Sequence, residues 1–292
     1  MGHLEGRASP WSKVVATFPT TPLGVTMART TRLLASLAAL SFVVASCGGS
    51  SSSDTTTAGD TAFTPIAEGK LTVCSDAPYE PFEFQNEAGE WTGFDMDLMT
   101  AIAARYDLAL DVTVQPFDGI WLAPKAGTCD VVASSLTITE ERAANAAFSD
   151  GYFDSFQSLL VRTDDVDTLN SIESLSGKTL AVQTGTTGEE FAKANAPEAK
   201  IQSFDDAAAM FLALESKQVD GVLQDFPINA FRATKMGTSA VSIKFDTESE
   251  QYGFAASQDN TKLIAAINES LTEFKSNGKY DEIFAKYFGS NG

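Results

Sequence analysis

Residues 178–223 read KTLAVQTGTTGEEFAKANAPEAKIQSFDDAAAMFLALESKQVDGVL, and this stretch decides the fold class. Lys178–Val182 has the length and apolar character of a short buried strand, and a turn at Gly185 separates it from a helical pattern over Thr187–Asn195. The alternation then repeats. Lys200–Ser203 reads as a strand, Asp205–Lys217 as a helix with Ala207, Met210, Phe211 and Leu214 on one face, and Val219–Leu223 as another strand. Strands alternating with helices of this length are built from βαβ units, so an α/β fold is expected.

The same grammar runs outward in both directions. Leu71–Cys74 reads as a strand, followed by a helix from Asp95 whose Met99, Ile102, Ala103 and Tyr106 fall at i, i+3, i+4 and i+7. Asp95 and Asp97 sit in its first turn, where carboxylates complement the helix dipole. Ala109–Val114 and Asp130–Ala133 are further strands with a helix-like segment between them, and Ser155–Arg162 reads as one long apolar strand. Two stripes, Ile264, Ile267, Leu271, Phe274 and then Tyr280, Ile283, Phe284, Tyr287, mark closing helices. Two βαβ runs parting near residue 153 predict two lobes. In open α/β sheets ligands bind at the carboxyl ends of strands and between domains, so the interlobe cleft is the expected site.

Composition removes several function classes. The 292 residues are 43% hydrophobic, enough for a sizeable core, and carry 20 Lys+Arg against 39 Asp+Glu, net -19. Such a surface repels phosphate backbones and anionic lipid heads, so no nucleic-acid partner is expected and membrane association needs an anchor. The one histidine is His3. Once an N-terminal signal is removed, Ser-His-Asp and Cys-His catalysis and His-ligated zinc go with it.

Met27–Ser46 reads as that signal. Arg29 and Arg32 precede an apolar stretch, Leu33–Ala45, too short to span roughly 30 Å of hydrocarbon. It ends in Val44-Ala45-Ser46-Cys47, which resembles a bacterial lipobox, so Cys47 is the expected site of lipidation. Residues 47–65, with a Gly/Ser/Thr run over Gly48–Thr61, are expected to be a flexible tether, and residues 1–26 an upstream extension before a start at Met27.

Several short motifs follow in order: Gly93-Phe94-Asp95-Met96-Asp97-Leu98, Pro78-Tyr79-Glu80-Pro81-Phe82-Glu83-Phe84, Ser134–Arg142, Gly185-Thr186-Thr187, Gln224-Asp225 and Gly278–Ile283. Together they resemble the bacterial extracellular solute-binding proteins of family 3, the amino-acid type, over about Leu71–Phe288. One departure is Tyr106, where the family signature usually ends on a smaller or aliphatic residue. The resemblance implies a two-lobed, type II periplasmic-binding-protein-like fold with two hinge strands. Residues 66–153 and 253–292 would form one lobe and 154–252 the other, closing on a ligand.

The implied ligand is a free amino acid, polar or basic. Its carboxylate needs a planar bidentate donor and backbone N–H groups; its ammonium needs a carboxylate and neutral acceptors. By the family match Arg142, Thr137 and Thr187 would hold the carboxylate. Thr187 opens a helix whose first amides are free for an anion, and it could equally act as the N-cap, with Glu190 completing a capping box. Asp225 and Ser135 would take the ammonium. Asp76, Tyr79 and Phe117 match positions around the ligand side chain, the two rings sandwiching its stem and Asp76 receiving a cationic or amide end. Cys74 and Cys129 are read as opening neighbouring parallel strands. Export favours a disulfide over two free buried thiols, and closing that loop would stabilise the fold by roughly 4 kcal/mol on the chain-entropy model.

The expected function is a monomeric, lipid-anchored carrier on the extracytoplasmic side of the cell membrane. It would pass an amino acid to the membrane permease of an ABC importer, with no catalytic residue, metal or cofactor. Two other readings stand beside it. One is an enzyme of the cyclohexadienyl or arogenate dehydratase type, for which Asp76, Glu80, Glu83 and Asp225 are candidate acids. The other is a sensory ligand-binding domain. Asp95 and Asp97 do not make a glycosidase pair, because i, i+2 spacing sends them to different sides of a helix.

Overall fold

The structure is a computed structural model and describes residues 63–289. Cys47, the signal span 27–46 and the upstream extension 1–26 lie outside the described residues.

Strand β1 (Lys70–Ser75) is buried along all but its first residue, as befits a parallel strand covered on both faces. A small hairpin, β2 (Phe84–Gln85) and β3 (Trp91–Thr92), leads into helix α1 (Phe94–Arg105). Gly93 at that junction has φ 119°, and a Cβ there would stand 2.1 Å from the Phe82 carbonyl oxygen, so only glycine fits. α1 buries Met99, Ile102 and Ala103 of the stripe read from its periodicity, with Leu98 beside them, while Tyr106, the fourth residue of that stripe, is the half-buried C-cap. The first half continues through β4 (Ala109–Val114), β5 (Val131–Val132), the one-turn helix α2 (Glu140–Ala143), β6 (Ala147–Phe148) and β7 (Phe153–Ser155). The helix-like segment expected between β4 and β5 is a single 3-10 turn, Ile120–Leu122, started by the left-handed Gly119 and followed by Pro124.

The second half holds β8 (Gln157–Arg162), β9 (Thr179–Gln183), α3 (Thr187–Asn195), β10 (Lys200–Phe204), α4 (Ala207–Glu215), β11 (Gly221–Asp225), α5 (Phe226–Met236) and β12 (Ser239–Lys244). The chain then returns through β13 (Glu250–Tyr252) to β14 (Ala255–Ala256), α6 (Thr261–Asn277) and α7 (Lys279–Phe288).

These strands make two five-stranded sheets, ordered β4-β1-β5-β14-β6 and β10-β9-β11-β8-β12. Each is the core of one lobe. The chain leaves the first sheet at β7 and comes back at β13, and these two crossing strands pair antiparallel. The span Ser155–Arg162 is therefore two strands, not one: Phe156 separates β7 from β8, which belong to different sheets. Behind the crossing, the rings of Phe153 and Tyr252 stack at 5.6 Å, with Phe82 edge-on to them at 4.9 and 5.5 Å. This aromatic packing pins the hinge strands to the first lobe.

Cys74 does not open its strand; it is the fifth of the six residues of β1, opposite Val132 of β5. Cys129 precedes β5, and the parallel register brings the two Cα atoms to 5.7 Å, where the disulfide forms. The packed body also begins inside the expected tether. Phe63 is buried, and its ring meets Tyr106 edge-on at 5.4 Å. Tyr106, the position that departs from the family signature, thus has an aromatic partner, and its hydroxyl donates to the Ala266 carbonyl at 3.2 Å. No helix among the described residues is long and apolar enough to cross a membrane.

Candidate functional site

The carboxyl ends of β1, β9 and β11 open onto one cavity of about 420 Å³, its open mouth included. Asp76, Tyr79, Glu83, Phe117, Ser134, Ser135, Thr137 and Arg142 line it from the first lobe; Gln183, Thr186, Thr187, Gly188, Gln224 and Asp225 line it from the second. All eight residues expected around a ligand are brought together there.

Arg142 is positioned by its own short helix. Thr139 caps α2 by accepting the Arg142 backbone N–H at 3.2 Å, and the side chain folds back into the cleft, 4% exposed. Nη1 donates to the Thr137 carbonyl at 2.8 Å, and Nη2 crosses the cleft to the Gly185 carbonyl at 2.9 Å. The guanidinium lies over the rings of Phe117 (5.3 Å) and Trp121 (4.9 Å). Its direct partners are therefore carbonyls and π-faces, not a carboxylate. Burial accordingly pulls its pKa below the usual arginine value, with Glu190, Asp225 and Glu250 opposing at a distance. A desolvated cation of this kind is a standing invitation to an anion.

Asp225 is the last residue of β11, at the carboxyl end of the strand. It accepts from Gln157 Nε2 at 2.6 Å and from the Tyr252 hydroxyl. Burial pushes its pKa up to about 7, helped by nearby Glu250 and opposed by the Tyr252 and Gln157 hydrogen bonds and by Arg142. Glu250, at the head of β13, accepts from Gln157 Nε2 at 2.9 Å, from Thr137 Oγ1 at 3.0 Å and from Thr187 Oγ1 at 2.7 Å. The two threonines come from opposite lobes, so this carboxylate ties the lobes together.

The N-cap of α3 is Thr186, one residue earlier than read. Its Oγ1 accepts the Glu189 N–H at 3.1 Å, and Glu189, not Glu190, reaches back to the Gly185 N–H at 3.0 Å. The shift leaves Thr187 at the first helical position, its hydroxyl available to the cleft and to Glu250.

Ser135 is held in the left-handed region, φ 46°, a strain of about 1–3 kcal/mol for a non-glycine residue. Two fully buried carboxyl groups hold it there. Asp95 accepts the Ser135 N–H at 2.9 Å and the Tyr152 hydroxyl at 2.7 Å, while Glu83 accepts from Ser134 Oγ at 3.2 Å and Ser135 Oγ at 3.3 Å. Burial raises Asp95 to about 7, and burial with the neighbouring Asp95 and Asp76 pushes Glu83 well above the carboxylate range. Asp95 is therefore more than a dipole partner for α1: it sets the backbone of the site.

At the far end Asp76 accepts from Gln183 Nε2 of the opposite lobe at 2.5 Å, and Tyr79 donates to Gln224 Oε1 at 3.4 Å. Burial raises Asp76 to about 6, against the pull of the Gln183 hydrogen bond. Phe117 carries the Arg142 guanidinium on its ring. Glu80 does not line the cavity and pairs with Lys235 of α5. Gln157, Gln183, Glu250 and Tyr252 were not singled out by sequence. They reach the site through tertiary pairing, and no local pattern marks them.

Two sheets closing on a cavity that offers one buried cation and several buried carboxyl groups define a two-lobed ligand-binding protein. The chain belongs to the bacterial extracellular solute-binding proteins, family 3, whose family model matches residues 71–290. A protein of Neisseria gonorrhoeae named "Probable histidine-binding protein" is 30% identical over 275 residues, covering 89% of this chain and 96% of its own. The ABC transporter glutamine-binding protein GlnH of Bacillus subtilis is 35% identical over 207 residues, 68% of this chain and 74% of its own. Among solved structures, a mutant of ArgBP from T. maritima has a TM-score of 0.71 at 38% identity, covering 75% of this chain and 95% of that one. The ancestral amino acid-binding protein AncCDT-1, described as a precursor of cyclohexadienyl dehydratase, has a TM-score of 0.71 at 36% identity over 75% and 96% of the two chains.

Proposed function

We propose that this chain captures a free, polar or basic amino acid in its interlobe cleft and delivers it to the permease of an ABC importer, held at the extracytoplasmic membrane surface by lipid on Cys47. The observation that carries the reading is Arg142 and Asp225 facing one cavity, a buried cation and a buried acid presented to a ligand that has both a carboxylate and an ammonium. Arg142 and the free amides at the start of α3 take the carboxylate; Asp225 and Ser135 take the ammonium. Asp76, Tyr79 and Phe117 surround the side chain, and the carboxyl groups of Asp76 and Glu83 favour a cationic or amide end over an acidic one. Relatives named for histidine, glutamine and, as ArgBP, arginine support an amino acid as ligand class. Because the clamp draws on both lobes, the ligand stabilises the closed arrangement. Thermal-shift screening of the twenty amino acids tests this: at least one raises the melting temperature with concentration, and a flat response to all of them rejects it.

The dehydratase reading has one observation in its favour. Glu83, a buried acid whose pKa is raised by burial and by the neighbouring Asp95 and Asp76, lines the cleft. Turnover of prephenate or arogenate, abolished in Glu83→Gln, would establish it; no turnover with measurable amino-acid binding removes it.

A further inference from the structure

Glu250 lies behind the cleft rather than in its lining. Its Oε2 accepts from Thr137 Oγ1 at 3.0 Å and Thr187 Oγ1 at 2.7 Å, and both threonines line the ligand cavity on their other side. A hydroxyl has one proton and two lone pairs, whereas a carboxylate only accepts. Each threonine therefore commits its single proton to Glu250; Thr137 keeps its lone pairs for the cleft, and Thr187, which also accepts from Gln157 Nε2 at 3.2 Å, keeps one. Gln157 continues the same polarity. Its two Nε2 protons are shared among Asp225 at 2.6 Å, Glu250 at 2.9 Å and Thr187 Oγ1 at 3.2 Å, which leaves its buried Oε1 without a donor among the described residues. The two hydroxyl oxygens and the Asp225 carboxyl group thus face the cleft as acceptors, and the hydroxyls have no proton left to give an anion. A group with three N–H donors fits this end of the cleft; a carboxylate does not, and must go to Arg142 and backbone amides.

We propose that Glu250 is a positioning residue for ligand capture: by taking the hydroxyl protons of Thr137 and Thr187 it makes both oxygens acceptors for the ammonium of a free amino acid. This rests on the amino-acid reading above and changes one part of it. The threonine hydroxyls serve the ammonium, and only their backbone amides remain for the carboxylate. Glu250 spans the lobes from a crossing strand, so the acceptors are assembled only when the lobes are together.

The test compares each amino acid with its deaminated counterpart: L-arginine with 5-guanidinopentanoate, L-glutamine with glutaramate, and L-histidine with 3-(imidazol-4-yl)propanoate, titrated to millimolar concentration. In Glu250→Gln the amide offers protons to the threonines, so at least one hydroxyl must point its own proton into the cleft. Affinity for the amino acid then falls about 10- to 100-fold, while affinity for the deaminated analogue stays within about threefold. Thr187→Val, which keeps the branched shape and removes one acceptor, moves the ratio the same way, and melting curves establish that both variants are folded. Equal loss for both members of a pair, or unchanged amino-acid affinity in Glu250→Gln, overturns the proposal. If none of the three binds the wild-type protein, the pair is formed from whichever amino acid the thermal-shift screen identifies; failure of all twenty overturns the amino-acid reading and this one with it.

Discussion

Replacing Arg142 with alanine separates binding from folding with unusual clarity. In the structure the side chain makes two hydrogen bonds to carbonyl oxygens and lies over two aromatic rings, contacts worth about 1–3 kcal/mol each on general scales. Against these stands the cost of keeping a guanidinium desolvated, at 4% exposure, with no carboxylate in direct contact, a penalty of several kcal/mol. The two nearly cancel, so the melting temperature of ligand-free Arg142→Ala should move by only a few degrees. Binding behaves differently, because the ligand carboxylate loses its bidentate partner. That loss is about 2–5 kcal/mol, or roughly 30- to 5,000-fold in Kd. Arg142→Lys keeps the charge without the planar fork and falls between the two. Calorimetric titration of the best ligand, beside thermal unfolding without ligand, reads both quantities. A collapsed melting temperature with an unchanged Kd would make Arg142 a structural residue and refute the reasoning.

Acidification from pH 8 to pH 5 should stabilise the ligand-free protein. Burial raises Asp76 to about 6 and Asp95 and Asp225 to about 7, so between about pH 4 and 7 the folded chain holds more protons than the unfolded one and stability is lost as pH rises through that window. Melting curves across this range check it, with Asp225→Asn and Asp76→Asn each flattening the slope; a melting temperature that drops on acidification contradicts it. Gly185→Ala should weaken binding at least about tenfold by obstructing closure. Gly185 has φ 77°, and an added Cβ would stand 2.6 Å from Asp118 Oδ1 and 3.1 Å from its Cα on the facing lobe. Solution scattering of the ligand-saturated variant should show a larger radius than wild type, and equal radii and affinities would count against that contact.

The parts of this molecule legible in sequence are those encoded locally. The helix Thr187–Asn195 follows from a turn glycine, a threonine start and a short periodic run, and the α1 stripe from spacing alone. Arg142 and Asp225 were reachable because each sits inside a motif at the end of a strand. Phe156 was missed as a break because an apolar residue between two apolar strands leaves no trace in hydropathy; what separates β7 from β8 is a change of sheet. Asp95 carries the signature of a first-turn helix acid, yet its partners Ser135 and Tyr152 are 40 and 57 positions away. Glu250 and Gln157 are 93 apart and meet only because the crossing strands pair. Buried hydrogen-bond networks of this kind depend on the completed topology, and no window of the chain contains them.

The central claim is that the cleft between the sheets binds a free amino acid. Protein unfolded in guanidinium, dialysed to remove carried-over ligand and refolded is titrated calorimetrically with each amino acid in turn. The account predicts one-to-one binding of at least one polar or basic amino acid with a Kd of about a micromolar or tighter, near -8 kcal/mol, and strong loss on Asp225→Asn. No heat of binding from any of them at millimolar concentration, in protein whose melting curve shows it folded, would contradict it.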